Sequence, residues 1–451
     1  MNKTTALPGM DEIVAEITEV TEGARAGASA GAFASAPRLR RPDRRQVLLE
    51  PVCWEDRLPA DHRARSVWAV VERLDLSRIL NRIAARGETP GRAATDPRLL
   101  VALWLYATIE NVGSARELAR RCQDHDAYRW LCGGVTLNHH TLSDFRVDHE
   151  QALDDLMTQV IAALVMKDVV TVERISQDSL RTRAGAGSSS FRRGATLRRL
   201  LADARAHVDA VKRQADETSA YSARQQAARA RAARERVERV EAALAVLPEL
   251  EAAKAASDSG KPSKDRPARV STTDAEARRM KTGDGAIRPA YNVQFGVDTA
   301  SRAVVGVDVV TTGSDQNQSE PLRHQVERRT GRRVKEHLVD GGFVKKEMIE
   351  RAESSGVSIY APLPKGKDGR PCATGRGDSP GVTAWRQRMM TPEGKRVYKE
   401  RAATAETVNA EVKTYRALGR LGVRGLSKVR CIALWSALAY NVVHFTAHLT
   451  G

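Results

Sequence analysis

Two apolar runs separated by five residues constrain this chain more than any other feature in it. Tyr291–Val297 alternates apolar and polar side chains, and Ala303–Val310 resumes an apolar run after Asp298–Arg302. A period of two is that of a pleated strand, whose successive side chains face opposite sides. The short gap is hairpin spacing. Upstream, Val169, Val170, Val172 and Ile175 make residues 168–180 a strand entering a core, with Asp178 at its far end. Downstream, His337-Leu338-Val339 runs into Asp340-Gly341-Gly342, a helix of about 344–355 follows, and Val357–Ala361 is a further strand. Strand, hairpin, strand, helix, strand predicts an α/β fold: a mixed sheet with helices packed on it.

The rest of the chain divides around that core. Residues 1–45 lack apolar periodicity and end in the basic run Arg38–Arg45, which predicts a disordered basic arm. Residues 46–166 are expected to be an α-helical N-terminal domain that binds DNA. There Leu99, Leu100, Leu103, Trp104 and Ala107 recur at helical spacing after Pro97, and Ser114 to Glu117 form a capping box. Thr141 to Asp144 has the look of another helix start. Helices over 114–122 and about 141–165, flanking Tyr128–Leu131, suggest a helix-turn-helix-like unit with Arg116, Arg120 and Arg121 on its polar face. An ordinary bundle with a solvated basic face fits the same residues. Residues 167–445 hold the sheet and two insertions. The first, 195–270, is a long helix or helical hairpin over 195–255, rich in Ala, Arg and Glu, then a flexible basic linker over 257–270. The second, 363–396, is rich in Lys, Gly, Arg and Pro and is expected to be loop-rich.

A formal net charge of +17 points to a polyanionic partner. No apolar stretch approaches the ~18 residues of a membrane span. The most apolar run, Cys431–Val443, has the length of a buried helix, so a soluble, cytoplasmic protein is expected. The five cysteines are scattered without a C-x-x-C pair, which argues against both a zinc ribbon and a disulfide framework.

At 100° per residue, a helix over about 395–418 divides into an apolar back and a polar front. Val397, Val408, Val412, Tyr415 and Leu418 make up the back. On the front Glu406 stands alone among Tyr398, Arg401, Asn409, Lys413 and Arg416. Taken alone, such a face describes plain solvated surface as well as a site. Asp178 and Asp340 each sit where an apolar strand stops, the usual place for functional groups in open α/β sheets. Each fits an ordinary strand-end residue too, but two such aspartates and a glutamate on a cationic helix form a less accidental set. Magnesium takes hard oxygen ligands, and two such ions can clamp the attacking and leaving oxygens of a phosphodiester displacement. Asp315 is the runner-up ligand.

At these residues the chain resembles the bacterial insertion-sequence transposases of the DDE class. The resemblance is carried by Asn138–Arg146, Ile175–Asp178, Ser271–Lys281 leading into Tyr291–Gln294, and the Y…R…E…K series Tyr398, Arg401, Glu406, Lys413 followed by Arg424–Val429. It departs from the family's usual residues at Ser179-Leu180, Gly341–Phe343 and Asn409-Ala410. The resemblance implies a ribonuclease H-like core and dependence on Mg²⁺ or Mn²⁺, with two ions. It implies Asp178, Asp340 and Glu406 as catalytic metal ligands, with Tyr398, Arg401 and Lys413 orienting their helix and contacting DNA; Arg416, on the same polar front, is a further expected DNA contact. The partners implied are double-stranded DNA, both the element's terminal inverted repeats and the target, and further copies of the chain in a synaptic complex, in the bacterial nucleoid. An inert or regulatory DNA-binding protein of the same fold, a simple nuclease and a helical scaffold are the competing expectations.

Overall fold

The computed structural model describes residues 51, 53–86, 93–217, 222–257, 267–366 and 369–451. The basic arm expected over 1–45 and most of the linker expected over 257–270 lie outside them. Among the described residues, seven α-helices precede the first strand: α1 Arg63–Glu72, α2 Ser77–Leu80, α3 Pro97–Ile109, α4 Ala115–Asp124, α5 Asp126–Cys132, α6 His139–Val147 and α7 Glu150–Met166. Then come β1 Arg174–Arg183, β2 Phe191–Arg192 and two long helices, α8 Gly194–Glu217 and α9 Ala223–Ser257. The sheet continues through β3 Val270–Ser271, β4 Arg278–Lys281, β5 Ile287–Asp298 and β6 Val304–Val310. Next are α10 Ser319–Thr330, β7 Glu336–Leu338, α11 Lys346–Ser354 and β8 Ser358–Tyr360. Last are α12 Pro380–Met390, α13 Pro392–Arg401, a π-helical turn at Ala402–Glu406, α14 Thr407–Tyr415 and α15 Leu426–Thr450.

The fold is mixed α/β. Its sheet runs β6–β5–β1–β7–β8, with β4 also paired to the first residues of β5. β1 is antiparallel to β5 and parallel to β7, and β7 is parallel to β8, so along this path β5 alone is reversed. The N-terminal helices and the sheet share one continuous hydrophobic core. Its pillar is α15, whose run Cys431–Val442 is buried and packs against α7, α3, α1 and β6. Trp435 donates its indole N–H to the Arg146 carbonyl at 3.0 Å, and Trp104 donates to Leu142 at 2.9 Å. Arg146 is itself buried, its guanidinium 4.5 Å from the Trp104 ring centre. That part of the Asn138–Arg146 segment therefore fastens the helices to one another.

Four expectations need correction. The strand at Asp178 does not stop there. Its pairing with β7 ends at Ser176, but β5 continues to pair with it as far as Arg183. A partner strand supplies the ladder that the polar stretch Ser179–Arg183 does not advertise. The helix expected over 141–165 is two helices, broken at Asp148-His149, and its cap is Asn138, whose side chain accepts the Thr141 N–H at 2.9 Å. The Ser114 cap is present, but Glu117 turns to Arg120 and Arg121 instead of reaching back. The 363–396 segment is helical from Pro380, because Val382, Trp385 and Met389 fall at helical spacing and are buried. Its Gly and Lys content conceals that stripe.

Candidate active site

Asp178 projects from the middle of β1, and Asp340 stands two residues beyond the end of the neighbouring parallel strand β7. Glu406 comes from the helical segment after β8. That segment is pinned in three places. Trp385 of α12 donates to the Ala361 carbonyl at 3.2 Å, and Arg388 forks onto Glu353 at 2.7 Å from both nitrogens. One residue, Thr391, joins α12 to α13 and caps α13 by accepting the Gly394 N–H at 2.9 Å. A Cβ at Gly394 would stand 2.1 Å from the Arg388 carbonyl oxygen, so only glycine allows so tight a corner. At the far end of α13, Glu400 bonds Arg174 of β1 at 2.7 Å, and Arg174 also holds Glu336 of β7 at 2.5 Å. Sequence reasoning missed Arg174, because no spacing rule joins residues so far apart.

The turn of chain between Arg401 and Glu406 decides the site. On a uniform α-helix these residues stand about 140° apart. The π-helical turn over Ala402–Glu406 winds more loosely, and it brings the Glu406 carboxylate to 2.5 Å from Arg401 Nη1. Single π-turns inside helices recur at functional sites. The same change of phase buries Asn409, expected on the polar front, while Tyr415, expected on the apolar back, is 59% exposed.

Arg401 thereby becomes the meeting point of three acids. Its Nη2 lies 3.6 Å from Asp178 Oδ1 and 3.7 Å from Asp340 Oδ2. Its burial works against its charge, but Asp178, Tyr398, Asp340 and Glu406 outweigh that and keep the guanidinium firmly protonated. Burial pushes the Asp178 carboxyl above the usual range. Arg401 and the Ser179 N–H oppose that, and the negative charges of Asp340 and Glu406 add to it. Asp340 accepts the Gly342 N–H at 2.7 Å, and a Cβ at Gly342 would come within 3.0 Å of that carboxylate. Tyr398 is half-buried beside the cluster, its hydroxyl pushed up by burial and by the acids. Lys413 is exposed on α14. Arg416 stands apart from the acids. It is buried, bonded to Glu411 at 2.6 Å and to the Ile109 carbonyl at 3.3 Å, so it ties α14 to α3.

Three carboxylates with hard oxygen donors suit a divalent cation such as Mg²⁺. Among the described residues, no three His, Cys, Asp or Glu side chains are placed to hold a metal ion as they stand, and here Arg401 lies between the acids. Asp315 lies across Gly342 from Asp340, 3.5 Å from where a Cβ there would stand, but is engaged by other partners. It is buried, accepts from Asn292 at 2.8 Å and Gln294 at 3.0 Å, and pairs with Arg181 at 2.6 Å.

Fold and site together define a mixed-sheet α/β protein with acids from one strand, the segment after a second strand and a helical turn gathered on one arginine. Residues 52–148 match the family model described as a transposase domain (DUF772), and residues 378–446 match that described as a transposase DDE domain. The two matches indicate an insertion-sequence transposase of the DDE class. The second covers Tyr398, Arg401, Glu406 and Lys413 and stops short of Asp178 and Asp340. No curated protein and no solved structure matches the chain. Among the described residues no helix is long and apolar enough to cross a membrane.

Proposed function

We propose that this transposase cleaves double-stranded DNA at the terminal inverted repeats of its element and joins the released 3′ hydroxyls to target DNA. In this reading Asp178, Asp340 and Glu406 are the catalytic acids and hold Mg²⁺ or Mn²⁺. The observation that supports it most is the approach of those three carboxylates, from three separate elements, to within 3.7 Å of one guanidinium. Acids so close repel one another and DNA, and a chain that only bound DNA would gain nothing from gathering them. The strand order, with one reversed strand flanked by parallel ones, supports assigning the core to the ribonuclease H-like class.

A bound divalent cation supplies charge neutralisation at the phosphodiester and a polarised water or hydroxyl as nucleophile. The chain's own residues do the rest. Asp178 is held on β1 and Asp340 just beyond the end of the neighbouring strand β7, so the sheet brings both into the site. Arg401 offsets the mutual repulsion of the acids, and with Tyr398 and Lys413 it offers donors and charge to the DNA phosphates. Helices of residues 46–166 would recognise the element ends, and copies of the chain would pair two ends in synapsis. One observation favours a second reading, an inert DNA-binding protein of the same fold: Arg401 stands where a cation is required.

The test is an assay with Mg²⁺, DNA carrying the element's ends and a circular target plasmid. Joined products that vanish in Glu406→Gln are the expected result. Cleavage without joining would indicate a nuclease, and tight binding with neither reaction would indicate the inert protein.

A further inference from the structure

β1 carries the chain from Asp178 to Arg183, roughly 17 Å at ~3.3 Å per residue. Past its end the helical insertion comes back to the body of the protein. There a cavity of about 450 Å³ is lined by Arg192 of β2, Arg236 and Arg239 of α9, Arg424 ahead of α15, and Thr272 and Thr273 after β3. Its walls are built, not draped. Val240, next to Arg239, is buried with Leu197, Ala243, Leu247 and Val270 in a small core that fixes α8 and α9 to β3. The Thr272 N–H donates to the Ser190 carbonyl at 3.1 Å, and the hydroxyls of Ser190 and Ser271 meet at 2.7 Å. Arg236 and Arg239 lie one turn apart on one side of α9.

The charge in this cavity is uncompensated. No acidic side chain lines it, and Glu235 and Glu238 of α9 are not among its lining. Among the described residues, none of the four guanidiniums has an ion-pair partner, whereas arginines near the acid cluster, such as Arg174, Arg181 and Arg401, are each paired with acids. Four like charges held together on fixed elements repel unless an anion lies between them. Guanidinium forks with adjacent hydroxyls match the oxygens of a phosphodiester. All four arginines are exposed, so the cavity admits a polymer and is not limited to a small ion.

We propose that this cavity grips the sugar-phosphate backbone of double-stranded DNA, as a second contact beyond the acid cluster. The identity of the polymer rests on the DNA-processing reading above, but no role of the three acids enters it.

Fluorescence anisotropy of a labelled duplex, titrated with the full chain without divalent metal between roughly 50 and 200 mM salt, tests this. Arg236→Ala/Arg239→Ala is compared with wild type and with Arg231→Ala/Arg234→Ala, which removes the same charge from the opposite side of α9. Alanine favours helix at all four positions, and Arg192→Ala/Arg424→Ala tests the same cavity without touching α9. The slope of log K against log salt is expected to fall by about 2 in each cavity variant and to hold in the control. Equal slopes in wild type and both cavity variants, an equal fall in the control, or a wild type that binds no duplex would overturn the inference. A wild type with the full slope that neither cleaves nor joins DNA in Mg²⁺ would sink the catalytic reading and leave this contact standing.

Discussion

The two faces of β1 treat their charged side chains in opposite ways. Successive residues of a strand point to opposite sides, so Asp178 faces one way, and Gln177, Ser179 and Arg181 face the other. On the second face most polar groups find a protein partner, although Gln177 Oε1 and His337 Nε2 are buried without one. Gln177 donates to Gln294 at 3.0 Å, Arg181 bonds Ser179, and Asp315 takes two amide donors and a guanidinium. On the first face Asp178 has its own neighbour's N–H at 2.9 Å and a guanidinium at 3.6 Å, and two more acids stand nearby. A carboxylate whose lone pairs are taken up is structural, and one left short of donors among like charges is available to a ligand. By this contrast Asp315, plausible as a metal ligand from the sequence, belongs to the framework.

The sharpest way to break the contrast is to exchange single acids on the two faces. Asp178→Asn is expected to lower strand cleavage on the order of 10³-fold or more, since a lost metal ligand forfeits several kcal/mol at the transition state. Its resistance to denaturant should be unchanged or raised, because a desolvated charge among acids is removed. Asp315→Ala should do the reverse in kind. It leaves Arg181, Asn292 and Gln294 without their partner and costs about 3 kcal/mol in equilibrium unfolding. If Asp315→Ala abolished cleavage while stability held, the assignment of the two faces would be wrong.

A smaller effect sharpens the same contrast. His337 lies beside Ile175 on the second face, and burial, helped by nearby Arg323, holds its imidazole down at about 3. Between that value and the ~6.5 of an unfolded histidine, the unfolded chain takes up a proton that the folded chain refuses. Stability is therefore full above pH ~6.5 and falls as the pH falls, by about 1.4 kcal/mol per unit through that window. Denaturant melts at several pH values should show this slope in wild type and lose it in His337→Asn. An identical slope in both proteins would show that this face is not closed to protons.

The sheet was legible because its hairpin repeats every second residue, and a partner strand enforces that repeat on both sides. That the three acids lie near one another was expected from Asp340 following an apolar strand and Glu406 standing alone among cations, whereas the strand end expected at Asp178 is absent. What could not be read were features that the local pattern conceals. The π-helical turn at Ala402–Glu406 breaks the uniform 100° rule, so the expected front and back of that helix are wrong at Asn409 and Tyr415. Arg416 matched the basic front by angle, yet it is buried against Ile109 and Glu411. The Asp315 set and the Arg174 bridge join residues more than a hundred positions apart, as Arg181 with Asp315 and Arg174 with Glu400 illustrate. The helix after Pro380 was hidden by the glycines and lysines around it.

The account turns on whether the face that carries Asp178 holds metal, and the direct measurement is a calorimetric titration of the full chain with Mn²⁺. Saturable binding that is lost in Asp178→Asn, Asp340→Asn and Glu406→Gln, and kept in Asp315→Asn, is the result this account predicts. Binding unchanged in the three variants, or lost in folded Asp315→Asn alone, would contradict it.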